Sequence, residues 1–137
     1  MSDDNLKRHG PFQQLVGYKV VEDEQWGAIV IADIEEKHMN LNGVPHGGMV
    51  MTMLDAVGGR VVALHRDDII SAVTINLLVD FLNPCKAGRL IAVGNCDQAG
   101  KTVAYVSLKL YLDEIGGPLI AKASGTYRIF NKSLMAP

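Results

Sequence analysis

Two cysteines in 137 residues, Cys85 and Cys96, are too few for a disulfide framework; free thiols in a reducing compartment are expected. No run of about 18 uninterrupted apolar residues occurs, which argues against a membrane-spanning helix. The opening segment MSDDNLKRHG is polar and has no apolar stretch behind it, so no secretory leader is expected and the cytoplasm is the expected compartment. Charge of neither sign dominates. Thirteen Lys and Arg face 15 Asp and Glu, for a net charge of −2 and a pI near 6.0, which argues against a broad nucleic-acid surface. The basic residues that recur late in the chain (Lys86, Arg89, Lys101, Lys109, Lys122, Arg128) then read as a solvated sheet face. The four histidines, His9, His38, His46 and His65, lack zinc-ligand spacing, and no metal is expected. Linkers, repeats and low-complexity segments are absent from the sequence, so one domain is expected over residues 1–137.

Hydrophobic residues make up 48% of the chain and charged residues 20%, the balance of a soluble globular protein with a sizeable core. Residues 3–16 suggest a short helix interrupted at Gly10-Pro11, with Pro11 able to open a new turn. Residues 17–22 and 26–36 read as extended, the second with Ala28, Val30, Ala32 and Ile34 on one face. Residues 38–46 (HMNLNGVPH) are dense in turn formers. Residues 47–65 read as one long helix, with Met49, Met53, Val57, Val61 and Leu64 at spacings of three and four. From Ile70 the period becomes two. In residues 70–82, Val73, Ile75, Leu77, Val79 and Phe81 share one face; Thr74, Asn76, Leu78 and Asp80 share the other. Asn83-Pro84 closes that strand. Residues 89–97, 102–113 and 118–130 read as three more strands, with turns at residues 98–101 and 114–117. The expected architecture is α+β, one helix against a sheet that ends in a four-strand antiparallel meander.

Residues 40–59, NLNGVPHGGMVMTMLDAVGG, carry the chemistry. Asp55 stands in the middle of an apolar helical run. A buried carboxylate costs several kcal/mol unless it is paired, hydrogen-bonded or protonated. Its neighbours at helical spacing are Gly48, Thr52, Gly58 and Gly59, a small and polar stripe. Gly58 and Gly59 each cost about 1 kcal/mol relative to Ala, which calls for a close approach by another backbone or a ligand; tight helix–sheet packing is the plainer account. His46-Gly47-Gly48 opens the helix, where unpaired N–H groups suit an anion or an oxyanion. Gly47 N–H is the candidate donor, and His46 either orients the loop or acts as a base. Nine residues, roughly 13 Å of helix, separate His46 from Asp55, whereas a reacting carbonyl needs donor and carboxylate within about 3 Å. Two antiparallel copies of the helix across a twofold axis satisfy both, so a homodimer with composite sites is expected.

The pattern Asn40, His46-Gly47-Gly48, Asp55 and Gly58 resembles the hotdog-fold acyl-CoA thioesterases of the phenylacetate-pathway (PaaI-like) type. Residues 72–76 (AVTIN), Phe81-Leu82-Asn83-Pro84 and Gly100-Lys101 extend the resemblance over roughly residues 15–130. It implies a sheet wrapped around a central helix and dimers joined edge to edge, themselves pairing into tetramers. It also implies that Gly47 N–H binds the thioester carbonyl, Asp55 is nucleophile or general base, and Asn40 (with Asn42 as competitor) and Thr74 hold the attacking water. Glu replaces this Asp in a neighbouring branch acting on aryl-CoA esters; Asp leans toward the phenylacetate-type or medium-chain branch. Pro45 before the His departs from the usual apolar residue. Met49, Met51 and Met53 give an adaptable apolar lining.

The expected reaction is therefore hydrolysis of an acyl-CoA, with no cofactor beyond the CoA thioester itself. Gly48 would line the substrate site, and Lys86, Arg89 and Lys101 are candidates for the CoA phosphates. A carrier-protein thioester is an alternative substrate. Other readings are a non-catalytic acyl-CoA-binding module and an acyl-thioester dehydratase or hydratase, whose characteristic His-Phe-Pro-Gly segment is absent here.

Overall fold

Apolar residues at every second position need a sheet face, and those at every third or fourth need a helical stripe; here the two patterns cover each other. The structure of the chain, a computed structural model, describes residues 10–132. In chain order it has helix α1 (Pro11–Val16), strands β1 (Lys19–Asp23) and β2 (Gly27–Asp33), a 3-10 turn (Glu36–His38), and helix α2 (Gly47–Ala63). Strands β3 (Ile69–Phe81), β4 (Arg89–Ala99), β5 (Val103–Leu112) and β6 (Leu119–Asn131) follow. Pro11 is the first residue of α1, and Gly17, at φ 87°, ends it by turning its N–H onto the Gln13 carbonyl. The earlier part of the expected N-terminal helix, residues 3–9, lies outside the described residues. Among the described residues no helix is long and apolar enough to cross a membrane.

The six strands form one antiparallel sheet in the order β1-β2-β4-β5-β6-β3. This corrects the expected four-strand meander: β3 pairs with β6, not β4. Both edges of β4 are taken, by β2 and by β5. The connection over residues 82–88 carries the chain past β6 and β5, a distance that seven extended residues span. Periodicity specifies which face of a strand is apolar; it does not specify the strand's neighbour.

Helix α2 packs on one face of the sheet, against β2 through β6. Met53, Leu54, Val57 and Val62 are fully buried there, against Leu90 and Ala92 of β4, Leu108 and Leu110 of β5, and Ala121 and Ile129 of β6. Leu64, expected in this stripe, is instead 37% exposed, because the helix ends at Ala63. Gly94 faces α2; a methyl there would touch Val61 and overlap Leu108. Cys85 is buried, Cys96 half-buried, and neither is bridged; burial pushes both thiols above their ordinary pKa.

Strand β3 departs from simple alternation. Its pairing with β6 slips between Thr74 and Asn76, so Ile75 is an extra residue and the face resets. Ala72 before the bulge and Leu77 and Val79 after it pack on the core, whereas Val73 and Ile75 are 55% and 54% exposed. The expectation that Val73 and Ile75 share one face with Leu77 and Val79 is thereby corrected. The bulge lets Thr74, on the nominally opposite face, point to the helix.

If the α2–sheet interface is the core, Leu54→Ala lowers unfolding free energy by about 2–5 kcal/mol. The urea midpoint falls with an unchanged slope; a loss below about 1 kcal/mol would contradict this packing.

Candidate active site

The start of α2 is built by side chains that hold the preceding loop. His38 is buried; its Nδ1 accepts from Glu35 N–H, so Nε2 carries the proton and donates to Val16 O at 2.7 Å. The His38 carbonyl accepts His46 N–H at 2.7 Å, and a Met39–Pro45 bridge closes the loop. Asn40 shapes its interior: Oδ1 accepts from Asn42 N–H at 2.9 Å and Val44 N–H at 3.3 Å. His46 is the N-cap, and its Nδ1 accepts Gly48 N–H at 2.8 Å. The Met49 N–H goes to the His46 carbonyl. Gly47 N–H, the first of the helix, has no acceptor among the described residues. It borders a cavity of about 320 Å³ whose wall includes Asn40, Val50, Phe81 and Cys85.

Asp55 lies eight residues further along, about 12 Å of helix from Gly47. It is half-buried rather than enclosed, correcting the expectation of a buried carboxylate. It opens onto a separate cavity of about 300 Å³ with Ala56, Gly59, Arg60 and Thr74. Thr74 Oγ1 donates to Asp55 Oδ1 at 2.5 Å. A third space, of about 520 Å³, is bordered by His46, Gly48 and Thr52 together with Phe12 and Leu15 of α1; Thr52 Oγ1 donates to the Gly48 carbonyl. One chain thus pairs Gly47 with Asn40 and Asp55 with Thr74, and keeps the two pairs apart.

The candidate phosphate ligands are not gathered. Arg89 is paired with Asp33 at 2.9 Å; this hydrogen bond holds the Asp33 carboxyl below the usual carboxylate range and lifts the guanidinium. Lys101 is exposed in the β4–β5 turn and Lys86 in the loop before β4. Arg89 and Lys101 stand at opposite ends of β4, roughly 30 Å apart for an extended strand of that length.

Tyr127 of β6 was not expected in the site. It is 1% exposed, and its hydroxyl donates to Asp55, 2.9 Å from Oδ1 and 3.0 Å from the backbone carbonyl. Burial first, then the Asp55 charge and hydrogen bond, push its ionisation far above the ordinary phenol range, so it stays a donor. Gly58 is the trace it leaves in the sequence. A methyl at 58 would overlap the Tyr127 hydroxyl, so the close approach that Gly58 requires is by an aromatic side chain, neither backbone nor ligand.

The model of the thioesterase superfamily matches residues 42–118, a span that includes Gly47, Asp55 and Thr74 and omits Asn40 and Tyr127. The chain is 32% identical over 126 residues to a Pseudomonas aeruginosa protein named "Putative esterase PA0474", covering 90% of this chain and 92% of that one. It is 27% identical over 99 residues to acyl-coenzyme A thioesterase 13 of Homo sapiens, covering 72% of this chain and 69% of that one. Among solved structures, the BH2602 protein from Bacillus halodurans with CoA aligns with a TM-score of 0.82 at 26% identity, covering 94% of this chain and 84% of that one. The E. coli PaaI protein from the phenylacetic acid degradation operon shares the fold, with a TM-score of 0.79 at 18% identity, covering 93% and 90%.

Gly58→Ala tests the Tyr127 contact. Overpacking costs about 1–3 kcal/mol against roughly 1 kcal/mol gained in helix propensity, so the variant is expected to unfold at lower urea than the parent. A more stable variant would show that Tyr127 does not need that space.

Proposed function

Because the chain belongs to the thioesterase superfamily and is a thioester hydrolase with the hotdog architecture, we propose that it hydrolyses aryl- or medium-chain acyl-CoA esters as a PaaI-like member, at sites shared between two protomers. The observation that carries this reading is the separation within one chain of the oxyanion donor from the carboxylate. Gly47 N–H and Asn40 border one cavity; Asp55 and Thr74 border another. A second copy of the helix running antiparallel supplies the missing half to each.

The edge of the sheet supports such pairing. Among the described residues strand β3 has β6 on one side and no strand on the other, and its Val73, Ile75, Leu78 and Phe81 are more than half exposed. A long apolar edge of this kind is a template for a second chain. The CoA held by the Bacillus halodurans protein and the name of the human relative support acyl-CoA as the substrate. The apolar wall around Gly47, with Val50, Phe81 and Leu82, suits an acyl or aryl group.

In the proposed reaction the thioester oxygen accepts Gly47 N–H from one protomer, which stabilises the charge that develops on it. Asp55 of the other protomer attacks the carbonyl carbon or takes a proton from a water that does so; by either route the C–S bond breaks and CoA leaves as the thiolate, and by the first a water then cleaves the acyl-Asp55 anhydride to release the acid and restore the carboxylate. Thr74 donates a hydrogen bond to Asp55, and its oxygen can accept from that water. Asn40 steadies the loop beside the carbonyl. The nucleotide phosphates would meet Lys86, Arg89 or Lys101, contributed by different ends of the sheet.

Free-thiol release from short, medium, long, phenylacetyl and hydroxybenzoyl CoA esters tests the activity, with Asp55→Asn expected to lower kcat by about 10²-fold or more. Binding without turnover on every ester would favour the binding-module reading. Protomer exchange tests the shared site. Proline is tolerated at the first position of a helix, so Gly47→Pro removes the N–H and leaves α2 intact. Mixing inactive Gly47→Pro and Asp55→Asn proteins is expected to restore up to about a quarter of native activity, since half the dimers then hold one complete site. No recovery after subunit exchange would place donor and carboxylate in one chain.

A further inference from the structure

We infer that Tyr127 is a positioning residue for the hydrolytic reaction: with Thr74 it holds Oδ1 of Asp55 and leaves Oδ2 as the oxygen that meets substrate or water. This rests on the proposed role of Asp55 and adds to it a division of labour between its two oxygens. Oδ1 accepts two hydroxyl donors, Thr74 and Tyr127. No described residue donates to Oδ2. A carboxylate that attacks or takes a proton needs one unencumbered oxygen at a defined place, and two donors converging on the other oxygen supply that definition.

The donors are themselves fixed by the sheet. Thr74 and Tyr127 are direct partners in the β3–β6 register, so their separation is set by strand pairing. The bulge at Ile75 falls immediately after Thr74 and turns the strand so that Thr74 remains on the helix side. Tyr127 also bonds the Asp55 backbone carbonyl, tying the helix turn and its side chain through one phenol. Phenylalanine would fill the same core volume. A phenol there must find a partner, and the partner it finds is the one carboxylate of the candidate site. Among the described residues the charged and titratable groups around Asp55 are Arg60 on its own helix, Tyr18 ahead of β1 and Tyr127 on β6.

The experiment is steady-state kinetics and a melt of Tyr127→Phe in the full chain, beside the parent and Asp55→Asn, on the best ester of the panel. The expected result is a folded variant with KM within about twofold and kcat lowered about 10- to 100-fold. A role in packing alone would move the melt and leave kcat in place, and that outcome overturns the inference. The two levels separate cleanly: native turnover in Asp55→Asn defeats the proposed mechanism itself, whereas an inactive Asp55→Asn beside a fully active Tyr127→Phe defeats only the role of Tyr127.

Discussion

The contact between α2 and β6 at Gly58 and Tyr127 is the constraint on which the candidate site depends. A tyrosine ring fits beneath the middle of the helix only because residue 58 has no side chain. Once there, its hydroxyl reaches Asp55, one turn earlier on the helix. The core and the site are thus the same piece of packing seen from two sides: Tyr127 is among the most buried side chains of the protein, yet its polar end is directed at the half-exposed carboxylate. A protein interior is close-packed and yields little, so a reactive group anchored to it inherits that rigidity.

The second constraint is length. Helix α2 has 17 residues, and the groups able to do chemistry lie near its start and at its middle. Its N-terminus is pinned by the His46 cap and by a loop tied through His38 and Asn40; its middle is pinned by β3 and β6. A straight helix cannot bring the two together, and the sheet that wraps it blocks every side but one. The open side of the molecule, with the unpaired β3 edge, is where a second protomer completes the arrangement under the proposed function.

Family membership and substrate stand on different supports. The hotdog architecture follows from a sheet and a helix whose apolar faces cover each other, and relatives with identities from 18% to 32% share the family or the fold. The acyl group depends on the shape of a few walls, such as Val50, Phe81, Leu82 and Cys85 around Gly47. Phe81 and Leu82 are exposed and can change with little effect on the core, which is why the fold is shared far more widely than any one substrate.

Local chemistry was legible in the sequence. Spacings of two and of three to four marked the strands and α2 to within a few residues, because periodicity records which faces are apolar. His46-Gly47-Gly48 announced a helix start with an unpaired donor, Asp55 announced a carboxylate on a core helix, and Gly58 announced that something comes close. Relations between distant segments were not legible. Nothing in the run of residues 69–99 says that β3 crosses to β6 while β4 inserts between β2 and β5, since a strand's pattern describes its faces and not its neighbours. The bulge at Ile75 is invisible to a period count that assumes none, and with it the exposure of Val73 and Ile75. Tyr127, 72 residues after Asp55, reads as one more core aromatic until β6 is laid beside β3. The chain alone therefore determined its elements, its helix cap and the residues able to do chemistry, because these follow from interactions within a few residues. Only the tertiary structure decided which of those residues meet, because strand order, register and the depth of helix–sheet contact are set by packing across the whole molecule.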